Sequence, residues 1–313
     1  MSQPASKVNT RLPDFLLVGA AKSATSSLYY YLNQHPQITM ASVKESWFFS
    51  FYEKPPQYTS PGILSNVISE LGDYLKLYDG AESGQILGDA CPSYLYTYED
   101  TIRNIRQLYS EKALANLKII ISLREPVSRA YSQYYTFKRL VHEPLTFEQA
   151  IQEDTVNQRM LDNWNIFYDY TGFGMYSKQV EAFRRAFGKE RVLVLLYDDI
   201  QADIDKVCRD IFLFLEVAPD FPVDARAKIN SIAGEPKVKW IVTGLFSKNR
   251  LKRMISAMIP IRIRRVVIHL VLKRLLKREV MDVNTHKQLS GYFNQDILKL
   301  EKLIGRDLSS WRS

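Results

Sequence analysis

Short unbroken apolar runs alternate along this chain with longer segments whose apolar positions recur every three or four residues. The runs are Phe15–Gly19 (FLLVG), Leu117–Leu123 (LKIIISL) and Val192–Tyr197 (VLVLLY). Strands buried on both faces of a parallel sheet read this way, because helices cover each side. The periodic segments predict amphipathic helices over Thr25–Gln34, Glu99–Glu111, Val127–Lys138, Tyr176–Phe187 and Ile200–Leu215. Pro126 suits the first turn of its helix, where a missing N–H costs nothing. Thr146 and Gln149 have capping-box spacing before a further helix. Strand–helix alternation of this kind predicts an α/β fold of three layers, a central parallel sheet flanked by helices. Beyond about residue 215 the pattern changes. No strand is evident, basic residues accumulate, and a last helix is expected near Leu289–Ile304. The organisation expected is one domain over 1–313, with an α/β core at 13–215 and a helical, basic C-terminal region at 216–313.

Composition changes this picture in one place. A chain of 313 residues with 46% hydrophobic and 24% charged side chains is ordinary for a soluble globular protein. Cys91 and Cys208 make neither a disulfide framework nor a metal-ligand spacing, which points to a reducing compartment. The opening MSQPASKVNTRLPDF lacks the apolar core of a signal peptide. No run reaches the roughly 18 apolar residues a membrane-spanning helix needs. A cytoplasmic location is therefore expected. The net charge of +8, however, is local: Lys248–Arg278 carries 11 Lys/Arg and no Asp/Glu, which leaves −3 for the rest. Pro260 divides this segment into two helical patterns. Leu251, Met254, Ile255, Met258 and Ile259 form one stripe; Val266, Val267, Leu270, Val271 and Leu275 form the next. Two readings stay open. Apolar stripes with dense cations describe a helix lying on an anionic membrane, here the inner face, as a peripheral attachment. They also describe a lid whose cations ring an anion-binding cleft. Nucleic acid is not the expected partner, since regularly interleaved stacking aromatics are missing.

Three features fall at the carboxyl ends of expected strands, where open α/β sheets bind ligands. The first is GAAKSATSS after Phe15–Gly19. Amides of Ser23–Ser26 at a helix start, the Lys22 charge and the hydroxyls of Thr25, Ser26 and Ser27 suit an anion. The order is not that of a Walker loop, because Lys22 comes early and Ala24 follows where that loop has glycine. An ordinary turn with a solvent-exposed lysine is the competing reading. The second is Arg124, ending a buried strand at the place where a Walker-type NTPase has a magnesium-holding carboxylate. Its guanidinium suits a bidentate anion contact, with Ser132 two turns up the next helix on nearly the same face. The alternative pairs Arg124 with Glu125. The third is Lys44-Glu45 before Trp47–Phe51, which would set a carboxylate against an apolar wall for general-base work. The alternative makes the aromatics core and the charged pair a solvated edge. His35, beside Pro36 at the end of the first helix, reads as structural.

Taken together these segments resemble the sulfotransferases that use 3′-phosphoadenosine 5′-phosphosulfate (PAPS), in the carbohydrate branch that includes heparan sulfate sulfotransferases and bacterial relatives. Pro13–Gly19 with Lys22 and Thr25 looks like the family's 5′-phosphosulfate loop. Leu123–Pro126 with Arg129, Ala130, Tyr131, Ser132 and Tyr134 looks like its 3′-phosphate motif. Lys44-Glu45 with Phe48-Phe49 resembles its KE-x-x-FF segment, and Gly88-Asp89 with Pro92–Leu95 its acceptor-side EKTPAYF-like segment. The likeness runs from about residue 13 to 215, and DILKLEKLIGRDLSSW resembles the family's last helix. It implies PAPS as co-substrate, its desulfated form (PAP) as product, and no metal. Lys22, Ser23, Ala24, Thr25 and Ser26 would cradle the 5′ end, and Arg124 with Ser132 the 3′-phosphate. Glu45 would be the base, Lys22 would stabilise the leaving group, and Lys44 and Asp89 would face the acceptor, a hydroxyl of a glycan or glycolipid. There are departures. Ala24 replaces a loop glycine and is compatible only with a negative φ. Ala90 replaces the EK-x-P lysine. The late KG loop is represented only loosely by Lys228–Ser231 and Lys237. The rival functions are an ATP-dependent P-loop kinase and a membrane-surface binding protein working through 248–278.

Overall fold

In the computed structural model, residues 11–62, 67–140, 142–225, 235–236, 276–277 and 280–312 are described. Five parallel strands, β1 (Phe15–Gly19), β2 (Ile38–Met40), β3 (Ile86–Ala90), β4 (Lys118–Leu123) and β5 (Val192–Leu196), form one sheet in the order β2-β3-β1-β4-β5. The three apolar runs are thus β1, β4 and β5, in the centre and on one edge. Sequence periodicity missed β2 and β3 for separate reasons. β2 is only three residues long, and the apolar run of β3 is interrupted by Gly88 and Asp89. Gly88 is required by packing: a Cβ there would lie 2.2 Å from Phe15 Cζ and 2.7 Å from Met40 Sδ.

Side chains of β1 alternate between two cores, as a two-residue period demands. Leu16 and Val18 join Trp47, Phe48, Tyr94, Tyr176 and Phe293 on one face. Phe15 and Leu17 join Leu28, Ile120, Ile211 and Phe212 on the other. The layers are built chiefly from α1 (Thr25–Leu32), α2 (Tyr98–Leu108), α3 (Pro126–Arg139), α4 (Tyr176–Phe187), α5 (Ile204–Leu215) and α6 (Val283–Ile304). Pro126 takes the first turn of α3, and Thr146 with Gln149 completes the capping box. The helix expected over 200–215 is two. Asp203 breaks it at φ −152 and caps α5 by accepting from Lys206 N at 2.9 Å. The last helix starts earlier than its apolar stripe indicates, because Asp282 accepts from Asn284 N and Thr285 N.

In the C-terminal region, Glu235–Pro236 pairs antiparallel with Leu276–Lys277, where the sequence pattern gave only helix. The remainder of the basic segment 248–278, with Lys228–Ser231 and Lys237, lies outside the described residues. Among the described residues no helix is long and apolar enough to cross a membrane.

The last helix closes the core through one buried carboxylate. Asp296 on α6 accepts from Ser177 N at 3.1 Å and from Ser177 Oγ, so a side chain from α6 caps the first turn of α4. Asp296→Ala strands both donors in the interior. The expected loss of stability is about 1–3 kcal/mol, read from the midpoint of denaturant unfolding.

Candidate active site

The chain leaves β1 toward β2 and β3 on one side and reaches β4 on the other. The gap between the ends of β1 and β4 is therefore a topological switch point, the usual place for a ligand in such a sheet. The loop after β1 is fixed there by β4. Ala20 N donates to Ser122 O at 2.6 Å, and Ser122 Oγ donates to Ser23 O. Leu95 packs so close that a Cβ on Gly19 would lie 2.6 Å from Leu95 Cβ. Lys22 and Ala24 both take left-handed backbone, with φ 68 and φ 66. The expectation of a negative φ at Ala24 is thereby corrected. The loop accepts the strain of a side chain where glycine is unstrained, about 1–2 kcal/mol, because hydrogen bonds to β4 hold its shape.

Within this loop Ser23 is fully buried and its Oγ has no protein partner among the described residues. Thr25 is buried and Ser26 half-buried in the first turn of α1. That turn holds no acidic residue, and its N-cap, Ala24, supplies no side-chain hydrogen bond. Its leading amides therefore remain open to an anion.

Arg124 reaches back from the end of β4 and donates to the Lys22 carbonyl at 3.3 Å. Its guanidinium lies over Tyr197, 4.7 Å from the ring centroid, and Tyr176 Oη donates to its carbonyl at 2.9 Å. The competing reading, a pair with Glu125, does not hold. Glu125 turns away to cap α3, accepting from Val127 N and Ser128 N at 2.7 Å each. Arg124 makes no ion pair among the described residues. Ser132 sits half-buried two turns along α3. Arg129 is wholly buried instead, donating to Gln133 Oε1 and Tyr170 O, and is a packing element.

Lys22 is half-buried rather than the exposed lysine of the competing reading. Burial lowers its pKa to about 8, and the charge of Arg139 pushes the same way. Glu45 opposes this, while Arg124 and Lys44 add smaller lowering effects. Four charged groups from three other segments thus act on Lys22. Arg139 and Tyr197 were not singled out from sequence. The signals for them were weak: Arg139 lies seven residues beyond Ser132 on one helix face, and Tyr197 ends an apolar run.

Glu45 is brought to the site by the turn after β2. Its N–H donates to Ala90 O at 3.0 Å, at φ 62. Lys44 Nζ pairs with Glu45 Oε1; the Glu45 side chain is 40% exposed and that of Lys44 15%, so the carboxylate stays accessible. The neighbouring aromatics are core, with Phe48 stacked on Tyr74 at 3.9 Å between ring centroids. Asp89 does not open toward an acceptor as expected. Strand alternation turns it, with Leu87, into a layer filled by Tyr74, Tyr78 and Tyr94, where it is fully enclosed. Burial raises its pKa, and hydrogen bonds from Tyr94, Tyr74 and Ser46 oppose the rise. His35 is structural. Its Nε2 lies 3.0 Å from Ala218 O, its Nδ1 accepts from Gln37 N, and its ring packs on Phe212.

The chain is 34% identical over 149 residues to the membrane-associated sulfotransferase kil1 of Dictyostelium discoideum, covering 46% of this chain and 28% of that protein. It is 23% identical over 250 residues to carbohydrate sulfotransferase 15 of Mus musculus, covering 66% and 44%. The chain thus spans less than half the length of these curated relatives. A crystal structure of a sulfotransferase from Alicyclobacillus acidocaldarius superposes with a TM-score of 0.74 at 29% identity, covering 97% of this chain and 100% of that one. The family model for the sulfotransferase domain matches residues 12–233, which takes in the β1 loop, Glu45, Arg124 and Ser132, and the chain belongs to that family.

Proposed function

We propose that the protein transfers a sulfuryl group from PAPS to an acceptor hydroxyl, with a saccharide as the acceptor class. The observation that carries this reading is the contact between Arg124 and the Lys22 loop. It joins two candidate anion-binding elements at one switch point, with a guanidinium that has no carboxylate and a buried Ser23 hydroxyl that has no partner among the described residues. These groups fit a ligand with anions at two ends. Lys22, Ser23, Ala24, Thr25 and Ser26 would hold the 5′ end, and Arg124 and Ser132 the 3′-phosphate. The bound donor supplies an activated sulfuryl group. Glu45 takes the acceptor's proton, and Lys22 offsets negative charge that grows as the bond to the leaving phosphate breaks. Lys44 keeps the Glu45 carboxylate at the mouth of the site. Asp89, being enclosed, has no direct part in holding the acceptor.

The saccharide assignment draws on the carbohydrate sulfotransferase relatives, whose similarity covers only part of their length. Transfer of radiolabelled sulfate across glycans, glycolipids and simple alcohols tests it. A kinase reading is disfavoured because β4 ends in Arg124 rather than a carboxylate.

Binding experiments test the donor. The protein is expected to prefer PAP to its 3′-dephosphorylated counterpart, 5′-AMP, and to ATP with magnesium. Arg124→Ala removes a charge-assisted hydrogen bond worth about 1.5–3 kcal/mol, roughly ten- to hundredfold in PAP affinity. Binding of 5′-AMP should scarcely change. Equal losses for both nucleotides, measured by titration calorimetry, would assign Arg124 to something other than the 3′-phosphate.

A further inference from the structure

Behind Glu45, three hydroxyls converge on one oxygen of a carboxylate that the transfer reaction does not use. Asp89 Oδ2 accepts from Tyr94 Oη at 2.7 Å, from Tyr74 Oη at 2.8 Å and from Ser46 Oγ at 3.3 Å. Ser46 Oγ also lies 3.1 Å from Tyr94 Oη. All four side chains are fully buried. An acidic group enclosed in an aromatic layer is costly to place, and here three buried hydroxyls offset that cost by donating to it.

The surrounding backbone indicates what this cluster does. Residues 89 and 90 of β3 grip residues 46 and 45 of the facing turn, one contact each. The Asp89 side chain holds the Ser46 hydroxyl, and the Ala90 carbonyl holds the Glu45 N–H at 3.0 Å. The Ser46 carbonyl is taken in turn by Ile68 N at 2.9 Å. Glu45 and Trp47, either side of Ser46, both have left-handed backbone, at φ 62 and φ 64. Such a turn relaxes unless its neighbours over-determine it. Ser46 is the point where they do so through a side chain.

We propose that Asp89, acting through Ser46, is a positioning residue that fixes the turn presenting the Glu45 carboxylate. This rests on the reading of Glu45 as the base. A proton acceptor displaced by about 1 Å loses a large part of its effect, so the contact acts on turnover rather than on donor binding.

The test is a mutant cycle on the full chain, with kcat, acceptor KM and PAP affinity measured for each variant. Ser46→Ala is expected to lower kcat about tenfold while acceptor KM and PAP affinity stay within about twofold. In a Glu45→Gln background the same change should alter kcat by less than about twofold, because the group being positioned no longer acts as a base. Asp89→Asn, the milder change at the carboxylate, should cost about threefold in the native background and nothing further once Ser46 is alanine. Native kcat in Ser46→Ala, or equal losses with and without Glu45, would overturn the positioning role alone. Full turnover in Glu45→Gln would overturn both this role and the base assignment.

Discussion

Replacing Glu45 by Gln is expected to lower turnover by about 10²–10⁴-fold with PAP affinity unchanged, since general-base catalysis contributes a factor of that size. Glutamine preserves the shape and can still accept from Lys44 Nζ, so the turn after β2 keeps its conformation while the proton acceptor is lost. The fall should appear in kcat, as for an interaction made only in the transition state. Single-turnover measurement separates this from slow product release. A variant that transfers sulfate at the native single-turnover rate would remove Glu45 from the chemistry.

Lys22→Met should cost about 10²–10³ in kcat, the usual effect of removing one group aimed at developing charge. The environment of Lys22 adds a second test. Burial and the neighbouring Arg139 bring its pKa down to about 8 in the free protein. Only the protonated amine carries the charge that the leaving group needs. The kcat/KM for the donor, which reports the free enzyme, should therefore fall as pH rises through about 8. That limb should vanish in Lys22→Met. The limb in kcat should lie at higher pH, because a bound anion favours the charged amine. A wild-type profile flat from pH 7 to 10 would contradict the role given to Lys22.

The effect of burial on Lys22 also marks where sequence and structure divide the explanation. Periodicity alone located β1, β4 and β5, because strands covered by helices read as unbroken apolar runs, and this holds even for β5 at one edge of the sheet. It located α4 at Tyr176–Phe187, whose amphipathic stripe is complete. The loop at Lys22–Ser26, Arg124 and Glu45 were legible as types of residue at strand ends. The other two strands were not. β2 is too short to show a period, and β3 gives two of its five positions to Gly88 and Asp89, which only their neighbours explain.

Sequence order by itself determined that a small-residue turn with Lys22 and the hydroxyls of Thr25, Ser26 and Ser27 would follow β1 and that Arg124 would follow β4. Only the fold decided that the two meet, through parallel pairing of β1 with β4. The fold also decided that Glu125 spends its carboxylate on α3 and leaves Arg124 free of it. It placed Asp89 inside rather than at the acceptor, since a side chain in a strand points wherever the two-residue alternation sends it, whatever its polarity. Local rules fix the backbone period, but the partner of each side chain is set by residues dozens of positions away. Arg124 and the Lys22 carbonyl are 102 positions apart in the chain and 3.3 Å apart in the fold.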